Sequence, residues 1–117
     1  MEVVEKDLEQ RTKQFALAVV RFCLKLPKTR EVDVLARQVL RSATSIGANY
    51  REAQRGVSRA DFRNKIGIVE KEAAETQYWL ELICELNFGP ADVAKQLRGE
   101  SSELLAIFTA IGKKLRD

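Results

Sequence analysis

Four segments of the chain carry apolar residues at the spacing of three and four that places them on one side of a helix. Short breaks separate these segments: Pro27 ends the first, Gly56 ends the second, and residues 87–90 precede the fourth. Ser58 is a suitable N-cap for the third helix, and Pro90 is suited to the first position of the fourth. No segment alternates with a period of two over enough residues for a sheet, so the sequence predicts an all-α fold.

The apolar stripes of these helices form the expected core. They are Leu8, Phe15, Val19, Phe22 and Leu26 in the first helix; Val32, Ala36, Val39, Ala43, Ile46 and Tyr50 in the second; Phe62, Ile66, Val69, Ala73, Thr76, Leu80 and Ile83 in the third; and Val93, Leu97, Leu104, Phe108, Ile111 and Leu115 in the fourth. Gly99 is a weak point inside the fourth helix. Because short connections favour antiparallel neighbours, the pattern predicts an antiparallel up-down four-helix bundle formed by residues 1–117 as a single domain.

Histidine is absent from the sequence, and its absence excludes several classes of site. A chain without imidazole has no His-dependent catalytic triad, no usual zinc site and none of the Glu-x-x-His pairs of ferritin-like di-iron bundles. Cys23 and Cys84 lie within helix-like apolar patterns, where a thiol behaves as a small hydrophobic group. We expect both cysteines to be reduced.

The first residues of the chain do not resemble a secretory signal, because the acidic Glu2, Glu5 and Asp7 stand where basic residues would be needed. The longest apolar run, residues 15–20, ends at Arg21 and is far shorter than the roughly 20 residues of a membrane-spanning helix. We therefore expect a cytoplasmic protein without membrane association.

Two rows of polar and small residues lie beside the apolar stripes of the second and third predicted helices. One row consists of Ser42, Ser45, Asn49 and Glu52, and the other of Lys65, Glu72 and Trp79 with Val69 and Thr76 between them. Polar groups at the edge of a core are costly unless they find partners, so we predict a structural polar network between these helices. Its predicted members are Ser45, Asn49, Glu52, Lys65, Glu72, Glu75 and Trp79.

An alternative interpretation of the same region is a metal site. Glu52, Glu72 and Glu75 are the only carboxylate cluster suited to metal binding or acid–base chemistry, and hard cations accept such oxygen ligands. Lys65 and Arg51 offer counter-charges nearby, which favours the structural network. A carboxylate-metal enzyme is the alternative function.

Charged residues are unevenly distributed along the middle of the chain. Residues 37–65 contain seven basic and two acidic residues, a net charge of +5, whereas residues 66–90 contain one basic and five acidic residues, a net charge of −4. Because arginine binds phosphate in bidentate fashion, the positive connection between the second and third helices is a candidate nucleic-acid site. Its predicted members are Arg37, Arg41, Arg51, Arg55, Arg59 and Arg63. A solvated charged surface, or pairing between oppositely charged ends of adjoining subunits, is the alternative.

The outer helices have more apolar surface than one core can use. Leu17, Val20 and Leu24 lie beside the main stripe of the first helix, and Leu105 and Ile107 lie beside that of the fourth. A second apolar face on a small helical protein usually packs against another subunit, so we predict a homo-oligomer. A broad core-facing surface is the alternative.

Two segments in the middle of the chain resemble a known bacterial family. Residues 45–53, Ser-Ile-Gly-Ala-Asn-Tyr-Arg-Glu-Ala, and residues 71–80, Lys-Glu-Ala-Ala-Glu-Thr-Gln-Tyr-Trp-Leu, with Phe62 and Lys65 between them, carry the resemblance. They are similar to the four-helix bundle proteins named after intervening sequences of 23S ribosomal RNA genes, also called the S23 ribosomal protein family.

This resemblance implies an up-down bundle in a ring-like homopentamer. It also implies distant kinship with the accessory proteins of diversity-generating retroelements, which bind nucleic acid beside a reverse transcriptase. The family's recurring positions fall on the seven predicted network residues, and no catalytic role attaches to them. Our leading hypothesis is a non-enzymatic oligomer without metal, cofactor or small-molecule substrate, which acts as a scaffold or binds RNA or DNA non-specifically. A pure protein–protein assembly module is a further alternative.

Overall fold

A computed structural model of the chain describes residues 2–117, with side chains described from Leu8 onward. The chain forms four helices: α1 (Glu2–Cys23), α2 (Arg30–Gln54), α3 (Arg59–Glu85) and α4 (Ala91–Arg116). No strand occurs within residues 2–117. The predicted all-α fold with four helices is therefore confirmed. The side chains of Glu2, Glu5 and Asp7, which stand where a secretory signal would be basic, lie outside the described residues.

Side-chain caps begin α2 and α3. Thr29 Oγ1 accepts a hydrogen bond from the Val32 N–H at 3.2 Å, and Ser58 Oγ accepts one from the Asp61 N–H at 3.1 Å. The predicted cap at Ser58 is thus confirmed. Pro90 lies one position earlier than predicted: it is the N-cap of α4, with an extended ψ of 117°, and the helix begins at the next residue.

The connection between α3 and α4 turns sharply against the end of α1. Asn87 and Gly89 have positive φ angles of 58° and 74°. A Cβ atom at Gly89 would lie 2.7 Å from Leu26 Cδ2 and 3.1 Å from the Phe22 ring. Both the left-handed backbone and the close approach therefore require glycine at this position.

The buried residues of the four helices form one core that closely follows the predicted stripes. All five residues predicted for the first stripe are buried, although Leu26 lies beyond the end of α1, and most of those predicted in the other helices are buried too. Tyr50 of α2 and Phe108 of α4 meet edge to face within the core, with ring centroids 5.4 Å apart. Ala36, Phe62, Val93, Ile111 and Leu115 are only partly buried, because they lie in the first or last two turns of their helices.

Among the described helices, α1 and α3 are each neighbours of α2 and α4 but are not neighbours of each other, while α2 and α4 meet through the side chains of Tyr50 and Phe108 in the core. Specific pairs fix the direction of the neighbours. Lys65 lies beside Glu52 and Thr76 lies beside Ser42, so α2 and α3 run in opposite directions. Gln77 of α3 donates to Ser102 of α4 at 2.6 Å. The molecule is an elongated rod of 44 × 24 × 21 Å.

Over the residues described, none of the helices is both long and apolar enough to cross a membrane.

Candidate functional site

Charged side chains bridge α2 and α3 along one surface of the molecule, here called the α2–α3 seam. Lys65 Nζ lies 2.7 Å from Glu52 Oε1. Arg41 pairs with Glu72 at 3.2 Å and also with Glu75. These pairs are exposed or half-buried, so each contributes modestly to stability, and together they define which faces of the two helices meet.

Trp79, Ser45 and Asn49 take different positions along this seam. Trp79 Nε1 donates to Glu75 Oε1 at 3.3 Å, one turn earlier on its own helix. Asn49 Nδ2 donates to the Ser45 carbonyl at 2.8 Å, and Ser45 Oγ donates to the Arg41 carbonyl at 2.6 Å. Ser45 and Asn49 therefore satisfy the backbone of α2 and do not hydrogen-bond across to α3.

A buried hydrogen bond between Ser42 and Thr76 joins the two helices beneath these exposed pairs. Their hydroxyl oxygens are 2.8 Å apart, and neither residue is exposed to solvent. Thr76 Oγ1 is also 2.7 Å from the Glu72 carbonyl. Among the described residues, every buried side-chain nitrogen or oxygen has a hydrogen-bond partner. Thr76 was predicted in the apolar stripe, and its contact with Ser42 was missed. The signal available in the sequence was a hydroxyl at a core position of each helix.

The three carboxylates of the metal alternative do not form one group. Glu52 pairs with Lys65, whereas Glu72 and Glu75 share Arg41. Within the part of the chain that the structure describes, no group of three or more acidic or cysteine side chains is arranged to hold a metal ion. The seam therefore offers basic counter-ions to these carboxylates in place of an open coordination site.

Of the six arginines predicted to bind phosphate, three pair with acidic residues and three do not pair with any described residue. Arg37 and Arg41 lie along α2 and pair with acidic residues, Arg37 with Asp33 at 2.9 Å and Arg41 across the seam. Arg51 lies 3.5 Å from Glu9 of α1. The remaining three, Arg55, Arg59 and Arg63, are exposed around the connection between α2 and α3 and form no ion pair with another described residue.

The last turn of α4 adds basic residues at the same end of the molecule. Arg116 lies 3.6 Å from Glu70, and a groove of about 430 Å³ between α3 and α4 has Arg63 on one side and Arg116 on the other. Lys113 and Lys114 belong to the same turn and are exposed. We call this group the basic end: Arg55, Arg59, Arg63, Lys113, Lys114 and Arg116. The contribution of α4 was missed in the sequence, although antiparallel packing of α3 and α4 predicts it.

A charged contact also joins α1 to α4. Arg11 Nε and Nη2 lie 2.7 and 2.8 Å from the two carboxylate oxygens of Glu100, and Nη2 lies 2.8 Å from Glu103 Oε1. The hydrogen bonds with Glu100 are the largest cause of a raised pKa for Arg11, whose guanidinium is therefore charged at every accessible pH. This bidentate contact orients α1 against α4 and was missed in the sequence.

The two cysteines are free and half-buried in the structure. Burial raises the pKa of the Cys23 thiol to about 11. At neutral pH this thiol is protonated and has little nucleophilic character.

Comparison with known proteins yields a family and a similar structure. The family description of the 23S rRNA-intervening sequence protein matches residues 5–110. A solved structure from Bacteroides thetaiotaomicron VPI-5482 is described as a protein with unknown function from the S23 ribosomal protein family. It is 38% identical in sequence, has a TM-score of 0.82, and the match covers 91% of this chain and 98% of that one. No curated protein matches the sequence. The chain belongs to the 23S rRNA-intervening sequence protein family, as the resemblance predicted.

Proposed function

We propose that the protein is a non-enzymatic, cytoplasmic homo-oligomer that binds nucleic acid without sequence specificity through its basic end. Each subunit is an antiparallel up-down four-helix bundle, and five subunits form a ring. The pairwise contacts of neighbouring helices support the bundle arrangement. The family resemblance and the apolar residues exposed on α1 support the ring.

The observation that carries this proposal is the set of exposed arginines without ion pairs at one end of the rod. Arg55, Arg59 and Arg63 make no ion pair with the described residues around them, so their guanidinium groups are available to a ligand. A guanidinium binds phosphate oxygens in bidentate fashion and remains charged at all relevant pH values. A ring of subunits would repeat this end and strengthen the positive field around its axis.

The proposed interaction is with the phosphate backbone. Contacts with phosphate fix position without reading sequence, whereas readout of bases requires an element that enters a groove or stacks on unpaired bases. Phe62, the aromatic residue between Arg59 and Arg63 in the sequence, is partly buried against the core. The expected binding is therefore strongly salt-dependent and similar for different sequences.

A two-arginine variant tests this proposal. We expect Arg59→Gln/Arg63→Gln to weaken binding to a short labelled DNA duplex at low salt. We also expect it to reduce the slope of log K against log salt by about 0.9 for each phosphate that the protein no longer neutralises. Fluorescence anisotropy over a salt series measures both quantities. The matched control is Lys28→Gln/Lys95→Gln, which removes the same charge from exposed positions near the opposite end.

Two results would contradict the proposal. One is that neither DNA nor single-stranded RNA binds the wild-type protein at low salt. The other is that the arginine variant and the lysine control have the same affinity and salt slope. Light scattering on each variant keeps a change in assembly from being mistaken for a change in binding.

A further inference from the structure

We propose that the outer face of α1 in one subunit packs against the outer face of α3 in the next copy of the chain. This inference rests on the oligomer proposed above and assigns the two surfaces that form its interface. It follows from the apolar residues left exposed, from the opposite charges that flank them, and from their matching positions along the rod.

The outer face of α1 is apolar where a solvated helix would be polar. Leu17, Val20 and Leu24 recur at a spacing of three and four, on the side of α1 opposite the buried Phe15 and Phe22. Their exposed fractions are 36%, 38% and 77%. Three large aliphatic side chains in one row form a continuous apolar strip, which is typical of an interface.

The charged residues beside this strip on its own segment of the chain are all basic. No aspartate or glutamate occurs in residues 10–30. Lys13, Arg21 and Lys25 are exposed next to the strip and form no ion pair with a described side chain. The second half of α1 therefore presents an apolar surface with a positive border.

The outer face of α3 has the complementary character. Tyr78 is 53% exposed, on the side of α3 opposite the buried Thr76 and Leu80. Residues 72–94 contain no lysine or arginine. Glu81 and Glu85 are exposed near Tyr78, and neither has an ion-pair partner among the described residues. This half of α3 therefore presents an aromatic residue with a negative border.

The two faces also lie at the same height along the rod. A Cβ atom at Gly47 would be 3.0 Å from Thr12 Oγ1, so these residues of α2 and α1 are level. Ser42, five residues from Gly47 towards the α1–α2 connection, is level with Thr76 of α3. Moving the same number of residues along α1 from Thr12 reaches residue 17.

Leu17 is therefore level with Thr76. Leu24 and Ile83 lie equally far beyond these two residues, so they are level to within about one turn, because both helices rise about 1.5 Å per residue. Rotation about an axis parallel to the rod brings one copy beside the next without changing these heights. The apolar strip of α1 then faces Tyr78, and the positive Arg21 and Lys25 face Glu81 and Glu85 of the neighbour.

The contact can form only between copies, because α1 and α3 do not contact each other within the described subunit. Each copy offers both faces, so the contact is heterologous and propagates from one subunit to the next. The opposite borders also fix which face meets which, since two α1 faces would repel each other.

A charge-reversal series measured by light scattering tests this interface. We expect Arg21→Glu/Lys25→Glu and Glu81→Lys/Glu85→Lys each to reduce the molar mass of the oligomer to that of the monomer at low ionic strength. We expect the combined variant, with all four reversals in one chain, to regain the wild-type mass. The matched control is Arg30→Glu/Lys95→Glu, which reverses two exposed charges near the starts of α2 and α4 and should leave the mass unchanged.

The outcomes separate this interface from the oligomer itself. A monomeric wild-type protein overturns both proposals. An oligomeric wild type whose mass survives both double reversals overturns the interface and leaves the oligomer standing. Dissociation by each double reversal without recovery in the combined variant also overturns the α1–α3 pairing, since the restored charge pairs would then not be in contact.

Discussion

Replacing Thr76 by valine removes a hydroxyl that joins the buried faces of α2 and α3 while keeping the shape of the side chain. Thr76 Oγ1 lies 2.8 Å from Ser42 Oγ, and both residues are completely buried. In the variant, Ser42 Oγ keeps only the Val39 carbonyl at 3.4 Å, which is near the limit of a hydrogen bond. An unsatisfied buried polar group costs about 1–3 kcal/mol, so we expect Thr76→Val to lower the free energy of unfolding by that amount.

Replacing the partner residue, Ser42, by alanine is expected to lower the free energy of unfolding by less. In Ser42→Ala, Thr76 Oγ1 keeps its hydrogen bond with the Glu72 carbonyl at 2.7 Å, so no buried hydroxyl is left without a partner. We expect a loss of about 0.5–1.5 kcal/mol, the usual net value of one hydrogen bond. The double variant Ser42→Ala/Thr76→Val should be more stable than Thr76→Val alone, because it removes the hydroxyl that the single change leaves unsatisfied.

Urea unfolding of the four proteins in this cycle measures the coupling between the two hydroxyls. Protein concentration is held constant, since assembly would shift the apparent stability. Thr44→Val is a control, because it removes a threonine hydroxyl from an exposed face of α2. Its expected effect on the free energy of unfolding is within about 0.5 kcal/mol. Additive losses in the double variant would refute the reasoning, because independent hydroxyls would not form a pair.

Two further predictions concern glycine and cysteine. Gly99→Ala should raise the free energy of unfolding by about 1 kcal/mol, because an added Cβ meets no atom within 4 Å. Gly89→Ala should lower the free energy of unfolding by about 1–3 kcal/mol, because φ is +74° at this position. Thermal unfolding measures both changes, and a Gly89→Ala variant more stable than Gly99→Ala would contradict the prediction. With the pKa of Cys23 raised to about 11 from 9.0, iodoacetamide at about pH 8 should alkylate it roughly 100-fold more slowly in folded Cys84→Ala protein than in urea. The contribution of the buried, protonated Cys23 thiol to stability should be lost as the pH rises from about 9 through 11. Equal alkylation rates in the folded protein and in urea would show that the thiol is not buried.

Local signals in the sequence were sufficient to predict the helices and most of the core. Gly56 lies just beyond the end of α2 and Ser58 caps α3, because backbone geometry and capping depend on a few adjacent residues, whereas α1 ends at Cys23 and not directly before Pro27 as predicted. The stripe from Leu8 to Phe22 is buried because its spacing follows the turn of a helix.

Contacts between distant parts of the chain could not be predicted in the same way. Arg11 meets Glu100 and Glu103 across 89 and 92 positions, and exposed charged residues on either helix offered many equivalent partners. The contribution of Arg116 to the basic end depends in turn on how α4 packs against α3. A pattern within one helix indicates which face is buried, but it does not indicate which side chain of another helix lies opposite.

Arg41 shows how the packing of α2 and α3 divides the arginines between two roles. Its guanidinium is the counter-ion of Glu72 and Glu75, so binding a phosphate there would require these carboxylates to lose their partner. Arg59 and Arg63, beyond the last pair of the seam between Lys65 and Glu52, have no such acidic partner among the described residues. The acidic residues of α3 thus neutralise Arg41 along the rod, whereas Arg59 and Arg63 at its end are left without an ion pair among the described residues. In the proposed assembly, subunits that associate side by side through α1 and α3 would leave these arginines at the end of the rod accessible to phosphate.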